Sequence, residues 1–199
     1  LPRHQAENGF QIITGDAARA AAEYAAKTAY KETDAATYQA MEALVHNLNT
    51  MNSRAGAQVP FSSLNYGTDT SPEGRMAVHN LLRATEAGLG DGETPIFPVQ
   101  IFKVKEGVNY NEGDPNYDLF RHALRCSAKR LFPNFSFLDA PFNLQYYKPG
   151  DYNTEVAYMG CRTRVMGNVF DNTKEVTCGR GNLSFTSINL PRIGIEAKG

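Results

Sequence analysis

One short stretch in the C-terminal part of the chain decides its fold: Met159-Gly160-Cys161-Arg162-Thr163-Arg164. Apolar and aromatic side chains precede this stretch, and β-prone residues up to Val165 follow it. Gly160 permits a tight turn that a residue with a Cβ atom would resist. The pattern therefore predicts a strand, a sharp turn and a second strand, with the sulfur of Cys161 at the tip. Such a sulfur can be a nucleophile, a metal ligand, a radical carrier or a small buried hydrophobe.

The overall composition is that of a globular protein with room for one full core. The chain has 199 residues, of which 42% are hydrophobic and 21% charged, and its formal net charge is -1. A net charge near zero provides no long-range attraction to nucleic acid or to anionic lipid. No apolar run approaches the ~20 residues that a membrane helix needs. Three cysteines do not suggest a disulfide framework, so we expect a protein of the reducing cytoplasm.

The N-terminal region, from Thr14 to about Asn49, has a helical composition. Residues 17–29 are rich in alanine, which has the highest helix propensity. We expect Asp34 to start a second helix, in which apolar residues recur at helical spacing: Tyr38, Met41, Leu44, Val45 and Leu48. The predicted helix pair either packs into the core or forms a subunit interface, because small alanines let two helices approach closely.

A polar stretch follows at residues 52–70, and it contains a strand-like segment from Gln58 to Tyr66. Its hydroxyls and backbone amides, with the guanidinium of Arg54, could hold an anion such as phosphate. The alternative is an ordinary polar loop with an edge strand, because Pro60 argues against a central position in a sheet.

The middle of the chain alternates predicted helices with predicted buried strands. Ser71 is a helix cap with Pro72 at the first helical position. Residues 95–104 form a nearly continuous apolar run, which predicts a strand buried on both faces of a parallel sheet. A second buried strand is predicted at residues 134–138. This alternation indicates an α/β fold with a largely parallel sheet.

The helix predicted between these two strands spans Tyr117 to Phe132. We expect one apolar face on it, made of Leu119, Phe120, Leu124 and Leu131. Cys126 falls inside this helix, where we expect it to be a structural, buried thiol.

The last predicted strand covers residues 183–190, in which apolar residues alternate with small polar ones. A row of amides and hydroxyls binds a polar ligand if it faces the inside of a barrel, and is a solvated face otherwise. Cys161 and Cys178 are too far apart, and have too few Cys or His neighbours, to indicate a zinc site. The role of Cys178 stays open between a structural and a functional thiol.

Three motifs, in this order, resemble the anaerobic (class III) ribonucleoside-triphosphate reductase family. They are residues 52–54 with 58–63, residues 159–165 and residues 179–192. The resemblance covers nearly the whole chain but only the middle portion of the family. It implies part of a ten-stranded α/β barrel of the glycyl-radical enzyme and ribonucleotide reductase type, with N-terminal helices. Residues 1–50 would be the helical dimer-interface and effector region, and residues 51–199 a partial catalytic barrel with a finger loop around 156–166.

The resemblance also implies roles for individual residues. Cys161 matches the cysteine that becomes a thiyl radical and removes a hydrogen atom from C3′ of the ribonucleotide. Asn182 matches an asparagine near the sugar, and Thr163 lies where aerobic relatives carry a glutamate. Further polar residues match the segment that lines the substrate site: Ser53, Gln58, Ser62 and Ser63.

In this family the reductant is formate, and ATP and deoxyribonucleoside triphosphates are effectors. The resemblance further implies a glycyl radical and a structural zinc, which this chain does not encode, a radical-SAM activating enzyme and a homodimer. We therefore expect the 199-residue chain to be inactive by itself. Two alternatives remain: another glycyl-radical enzyme of the formate-lyase type, or a non-catalytic nucleotide-binding module.

Overall fold

The computed structural model describes residues 15–52, 56, 58–160, 163–168, 171, 173 and 187–198. The chain divides into two compact units, Leu1–Ser136 and Phe137–Gly199. Among the described helices, none is both long enough and apolar enough to cross a membrane.

The first unit contains three helices and a three-stranded sheet. Its elements, with the strand at its boundary, are α1 (Gly15–Thr50), β1 (Ser63–Tyr66), α2 (Pro72–Ala87), β2 (Val99–Val104), α3 (Tyr117–Arg130) and β3 (Asn134–Phe137). The strand order is β1-β2-β3, and β1 runs parallel to β2 with Ser63 beside Val99. The predicted α/β class with a parallel sheet is therefore confirmed. The ten-stranded barrel stays a prediction, because the described residues supply one three-stranded and one two-stranded sheet.

Strand β2 occupies the centre of the sheet, and all of its residues except Lys103 are buried. A central parallel strand covered by helices is mostly apolar on both faces, and β2 follows this rule except at Gln100 and Lys103. The strand predicted at residues 95–104 is thus confirmed from Val99 onward. The predicted strand at residues 134–138 also forms, over Asn134–Phe137, but only Ser136 of these four residues is buried, so the expectation of a buried strand is wrong for the other three.

The main core lies between the sheet and helices α2 and α3. Phe102 is completely buried at its centre, and the ring centroids of three aromatic neighbours lie 5.7 to 6.1 Å from its own: Tyr66, Phe120 and Phe135. A second cluster, formed by Val45, Leu81 and Ala84, joins the C-terminal half of α1 to α2.

Helix α1 is continuous over Gly15–Thr50, so the prediction of a second helix starting at Asp34 is wrong. The Asp34 carboxylate accepts a hydrogen bond of 2.7 Å from Asn80 Nδ2 and lies 3.5 Å from Arg83 Nη1. These two partners belong to α2. Asp34 therefore binds a neighbouring helix instead of capping backbone N–H groups of its own helix.

Helix α3 forms where the sequence predicts it, but its buried face differs. Leu124 and Leu131 are 45% and 79% exposed, so the expected apolar face is wrong for both. Leu124 lies off the stripe that faces the core, and Leu131 follows the helix in a left-handed conformation with φ of 64°. The residues that face the core recur at i, i+3, i+4 and i+7: Leu119, His122, Ala123 and Cys126.

The start of α2 agrees with the sequence prediction. Ser71 Oγ accepts a hydrogen bond of 3.0 Å from the backbone N–H of Gly74, and Pro72 is the first helical residue. Because an N-cap needs only residues of its own turn, this feature can be read from the sequence.

The second unit contains short elements: α4 (Pro141–Leu144), a 3₁₀ turn (Tyr152–Thr154), β4 (Ala157–Met159), β5 (Thr163–Val165) and α5 (Leu190–Glu196). The strand predicted at residues 183–190 is wrong at its end, because Leu190 is the first residue of α5. Asn189 Oδ1 accepts a hydrogen bond of 3.0 Å from the N–H of Arg192 and caps this helix. Residues 183–186 lie outside the described residues.

Candidate functional site

Strands β4 and β5 form an antiparallel hairpin that brackets the Gly-Cys motif. Ala157 pairs with Val165, and Met159 pairs with Thr163 next to the connection. Gly160, the first residue of that connection, has a φ of 66°, which favours glycine. The predicted strand, turn and strand are confirmed. Cys161 lies outside the described residues.

The chain that leads into the hairpin is anchored by buried side chains. Val156 is 2% exposed and directly precedes β4. Thr154, in the 3₁₀ turn, is 5% exposed; its Oγ1 donates to Asp151 O at 2.7 Å and accepts from the N–H of Lys148 at 2.8 Å. These contacts hold the start of β4 in one place.

The segment that leads into β1 carries the predicted substrate-binding residues of the first unit. Ser63 is the first residue of β1, and Ser62 O accepts a hydrogen bond of 2.8 Å from the N–H of Val99. The hydroxyl Oγ of Ser62 is buried without a hydrogen-bond partner, as is that of Ser136 among the described residues. A buried hydroxyl without a partner costs about 1–3 kcal/mol, and a polar ligand could satisfy it.

The other predicted site residues are distributed as follows. Gln58 is exposed on the same segment as Ser62 and Ser63, whereas Thr163 is partly buried at the start of β5 in the second unit. Ser53 and Asn182 lie outside the described residues, as does Cys178. The structure thus groups Gln58, Ser62 and Ser63 on one segment.

Cys126 is completely buried in the core, as predicted for a structural thiol. Burial raises its pKa to about 11, so the thiol stays protonated at neutral pH. A protonated, buried thiol is neither a good nucleophile nor a good metal ligand. Among the described residues, no group of three or more His, Cys, Asp or Glu side chains could hold a metal ion.

Sequence reasoning missed a buried hydrogen-bond network between the sheet and α2. Gln100 is completely buried; its Oε1 accepts a hydrogen bond of 2.6 Å from the Tyr66 hydroxyl, and its Nε2 donates to Thr85 Oγ1 at 2.8 Å. Burial raises the pKa of Tyr66 well above its ordinary value, so its hydroxyl remains a donor. The available signal was a glutamine inside a mostly apolar strand.

A histidine cluster on α2 and α3 was also missed. The ring of His122 lies 5.3 Å from that of exposed His79, and its Nε2 lies 3.2 Å from Glu86 Oε2. Burial lowers the pKa of His122, although its hydrogen bond to Glu86 acts in the opposite direction. No local pattern could reveal this cluster, because its members come from two helices.

The parallel sheet defines an α/β protein, and the hairpin of β4 and β5 encloses the Gly-Cys motif in the sequence. A family model described as anaerobic ribonucleoside-triphosphate reductase matches residues 13–199. The chain therefore belongs to the anaerobic ribonucleoside-triphosphate reductase family.

Individual relatives agree with this assignment. The chain is 37% identical to the anaerobic ribonucleoside-triphosphate reductase of Escherichia coli K12 over 81% of its own length, which is 22% of that protein. It is 36% identical to that of Salmonella typhimurium LT2 over 86% of its length, or 23% of the relative. It is also 36% identical to that of Enterobacteria phage T4 over 85% of its length, or 27% of the relative. The chain thus spans about a quarter of the length of these proteins.

Proposed function

We propose that this chain forms part of the catalytic region of a longer reductase polypeptide, which reduces ribonucleoside triphosphates to deoxyribonucleoside triphosphates without oxygen. The observation that carries the proposal is the β4–β5 hairpin. It places a glycine with positive φ directly before Cys161, in a chain that belongs to the reductase family.

In the proposed mechanism Cys161 acts as the radical carrier. A glycyl radical, carried elsewhere in the longer polypeptide, would take the hydrogen atom of the Cys161 S–H group and so leave a thiyl radical on the sulfur. The sulfur of Cys161 takes a hydrogen atom from C3′ of the bound ribonucleotide: the C–H bond breaks, an S–H bond forms, and the unpaired electron moves to the sugar. Such a transfer requires sulfur and carbon to be held close together in a defined orientation.

The remaining site residues are proposed to bind and orient the substrate. Asn182 would hydrogen-bond the sugar region, and the unpartnered Ser62 hydroxyl would bind a polar group of the nucleotide. The Thr163 hydroxyl cannot act as a carboxylate base at neutral pH, which fits formate as the source of reducing equivalents. Ser53, Gln58 and Ser63 would also contact the substrate.

We further propose residues 1–50 as the dimer-interface and effector region and residues 51–199 as part of the catalytic barrel. The N-terminal half of α1 is alanine-rich and mostly exposed, with Tyr24 and Tyr30 at 73% and 63% exposure. Such a helix suits a homodimer contact, because its small side chains allow close approach of a second copy. The effectors, the structural zinc, the radical-SAM activating enzyme and a cytoplasmic location belong to the same proposal.

The test begins with the reading frame that encodes these residues. We expect it to continue into a glycyl-radical motif of the Arg-Val-x-Gly-Tyr type and a group of four cysteines. The complete product, activated without oxygen, should reduce ribonucleoside triphosphates with formate. We expect Cys161→Ser to remove turnover, whereas Cys126→Ala should keep turnover in the fraction that folds. Full turnover by Cys161→Ser would contradict the mechanism.

The unpartnered Ser62 hydroxyl also favours a second candidate, a nucleotide-binding module without its own chemistry. Titration of the complete product with a ribonucleoside triphosphate separates the two candidates. Binding with no turnover in the presence of the activating enzyme would favour the module, whereas binding with turnover supports the reductase.

A further inference from the structure

Arg164 lies on β5, three residues after Cys161, and connects the hairpin to helix α4. Its Nη1 donates hydrogen bonds to the carbonyl oxygen of Phe142 at 2.9 Å and to Asn143 Oδ1 at 3.2 Å. Its guanidinium carbon lies 5.2 Å from the centre of the Phe142 ring, at a distance typical of a cation–π contact. One exposed side chain thus makes three contacts with two consecutive residues.

Asn143, which accepts one of the hydrogen bonds from Arg164, is itself held rigidly. Asn143 is 3% exposed, and its Nδ2 donates to Phe137 O at 2.8 Å. Its backbone N–H donates to Ala140 O, also at 2.8 Å. Because the Nδ2 and the backbone N–H of Asn143 both donate hydrogen bonds, its Oδ1 presents a fixed point to Arg164.

A second contact holds the chain just after β5. The N–H of Gly167 donates to Asn153 O at 2.5 Å, and a Cβ atom on Gly167 would lie 2.7 Å from that oxygen. Arg164 and Gly167 therefore fix the outgoing part of the hairpin on both sides of Val165. Arg164 pairs with Tyr158 in the hairpin, one position from the Met159–Thr163 pair that closes the connection.

We infer that Arg164 is a positioning residue, which sets the location of the Cys161 thiol by anchoring β5 to α4. This inference rests on the proposed function of Cys161. Hydrogen-atom transfer depends steeply on the distance between donor and acceptor, and a displacement of about 1 Å can cost about 10²-fold in rate. A loosened β5 would displace the turn that contains Cys161 while the core of the first unit stays intact.

The chemistry of the contact explains why arginine suits this position. A planar guanidinium can donate hydrogen bonds in its plane while its face packs on an aromatic ring. A lysine ammonium is a compact point charge that could keep one hydrogen bond but not the planar packing. Removal of the charge leaves no unpaired ion behind, because the acceptors on Phe142 and Asn143 are neutral.

The test uses Arg164→Gln and Arg164→Lys in the complete reductase polypeptide, with Arg125→Gln as the matched control. Arg125 is also exposed, at 68% of its side chain, and lies 3.6 Å from Glu86 on α2. We expect Arg164→Gln to lower kcat by about 10²-fold with KM changed less than about twofold. Arg164→Lys should recover part of kcat, and Arg125→Gln should leave it unchanged.

Hydrogen exchange measured by mass spectrometry gives a readout that does not depend on turnover. We expect faster exchange in the peptide that covers residues 157–168 of Arg164→Gln, with unchanged exchange in β2 and α3. Unchanged exchange in the hairpin would overturn the anchor, and wild-type kcat despite a loosened hairpin would overturn the positioning role. If the unsubstituted polypeptide does not reduce ribonucleotides, the proposed function fails, while hydrogen exchange still decides whether Arg164 anchors the hairpin.

Discussion

Each of the two units of this chain is stabilised internally by a different kind of interaction. In the unit Leu1–Ser136, helices cover a parallel sheet, and large side chains such as Leu82 and Phe102 are completely buried. Among the described residues of the unit Phe137–Gly199, Leu138 and Val156 are the buried hydrophobic residues. The hairpin of that unit is held by hydrogen bonds from Arg164 and Gly167.

This difference shows that the stability of a unit and the accurate placement of its residues can come from different interactions. Apolar burial is non-directional and contributes in proportion to the area removed from water, so it stabilises a unit without specifying the location of any single atom. Hydrogen bonds are directional and contribute about 0.5–1.5 kcal/mol each. A unit that relies on them can place a turn accurately while remaining weakly stabilised.

The largest effect is expected from the core of the first unit. Phe102→Ala removes a completely buried ring that contacts three other aromatic rings. We expect the free energy of unfolding to fall by about 3–5 kcal/mol, because the substitution leaves a cavity. Urea unfolding of the chain, followed by circular dichroism, measures this change.

The matched control is Phe61→Ala, because the Phe61 side chain is 72% exposed and packs edge-on against Phe97 at 5.1 Å. This substitution should cost about 1 kcal/mol or less. Equal losses of unfolding free energy in the two variants would show that the buried ring stabilises the first unit no more than the exposed one. That result would contradict the role given to apolar burial in this unit.

A smaller and local effect is expected in the hairpin of the second unit. Gly167→Ala places a Cβ atom 2.7 Å from Asn153 O, so the backbone contact must open. We expect about 1–3 kcal/mol of local destabilisation, typical of overpacking. Hydrogen exchange of residues 163–168 should become faster, while β2 stays protected.

Gly194→Ala provides the control for a methyl group added to the same unit. Gly194 is inside α5, and a Cβ atom at this position would meet no described atom within 4 Å beyond the neighbouring backbone of its own helix. Alanine should therefore stabilise this helix by about 0.5–1 kcal/mol. A hairpin that exchanges at the same rate in Gly167→Ala and in the unsubstituted chain would contradict the proposed close contact.

The smallest expected effect is a change of stability with pH, which arises from the cluster of His122 and Glu86. Burial lowers the pKa of His122 below its ordinary 6.5, aided by the charges of Arg125 and His79 and opposed by Glu86. The unfolded chain therefore binds the proton more readily, so stability falls as pH decreases below 6.5. Burial raises the pKa of Glu86, but the hydrogen bond from His122 and the charges of Arg125, His122 and Lys129 outweigh it and leave the pKa below its ordinary 4.5.

Both groups therefore make the first unit less stable in acid, in two successive windows. His122 acts below pH 6.5, and the contribution of the Glu86 carboxylate is lost as the pH falls below 4.5. His122→Gln should flatten the dependence of the urea midpoint on pH between about 5 and 7, and His46→Gln on α1 serves as the control substitution. A slope that is the same in His122→Gln and in the unsubstituted chain would exclude this cluster as its source.

Local signals predicted a large share of the fold. The Ser71 cap, the central strand β2 and the hairpin around Gly160 each depend on residues within a few positions, so their patterns were sufficient. The helix break at Asp34 and the apolar role of Leu124 were wrong, because a partner helix decides both. For the candidate site, the sequence indicated the turn before Cys161 and the segment with Ser62.

The sequence by itself determined the order of helices and strands from α2 to β3, the hairpin of β4 and β5, the family and the residues proposed to carry the chemistry. These follow from local sterics, from the period of apolar residues and from three motifs in order. Tertiary structure alone decided that α1 continues past Asp34, that Gln100 bridges Tyr66 and Thr85, and that Arg164 anchors the hairpin. The reason is physical: a polar side chain can choose among several partners, and only the packed structure determines which one lies within hydrogen-bond distance.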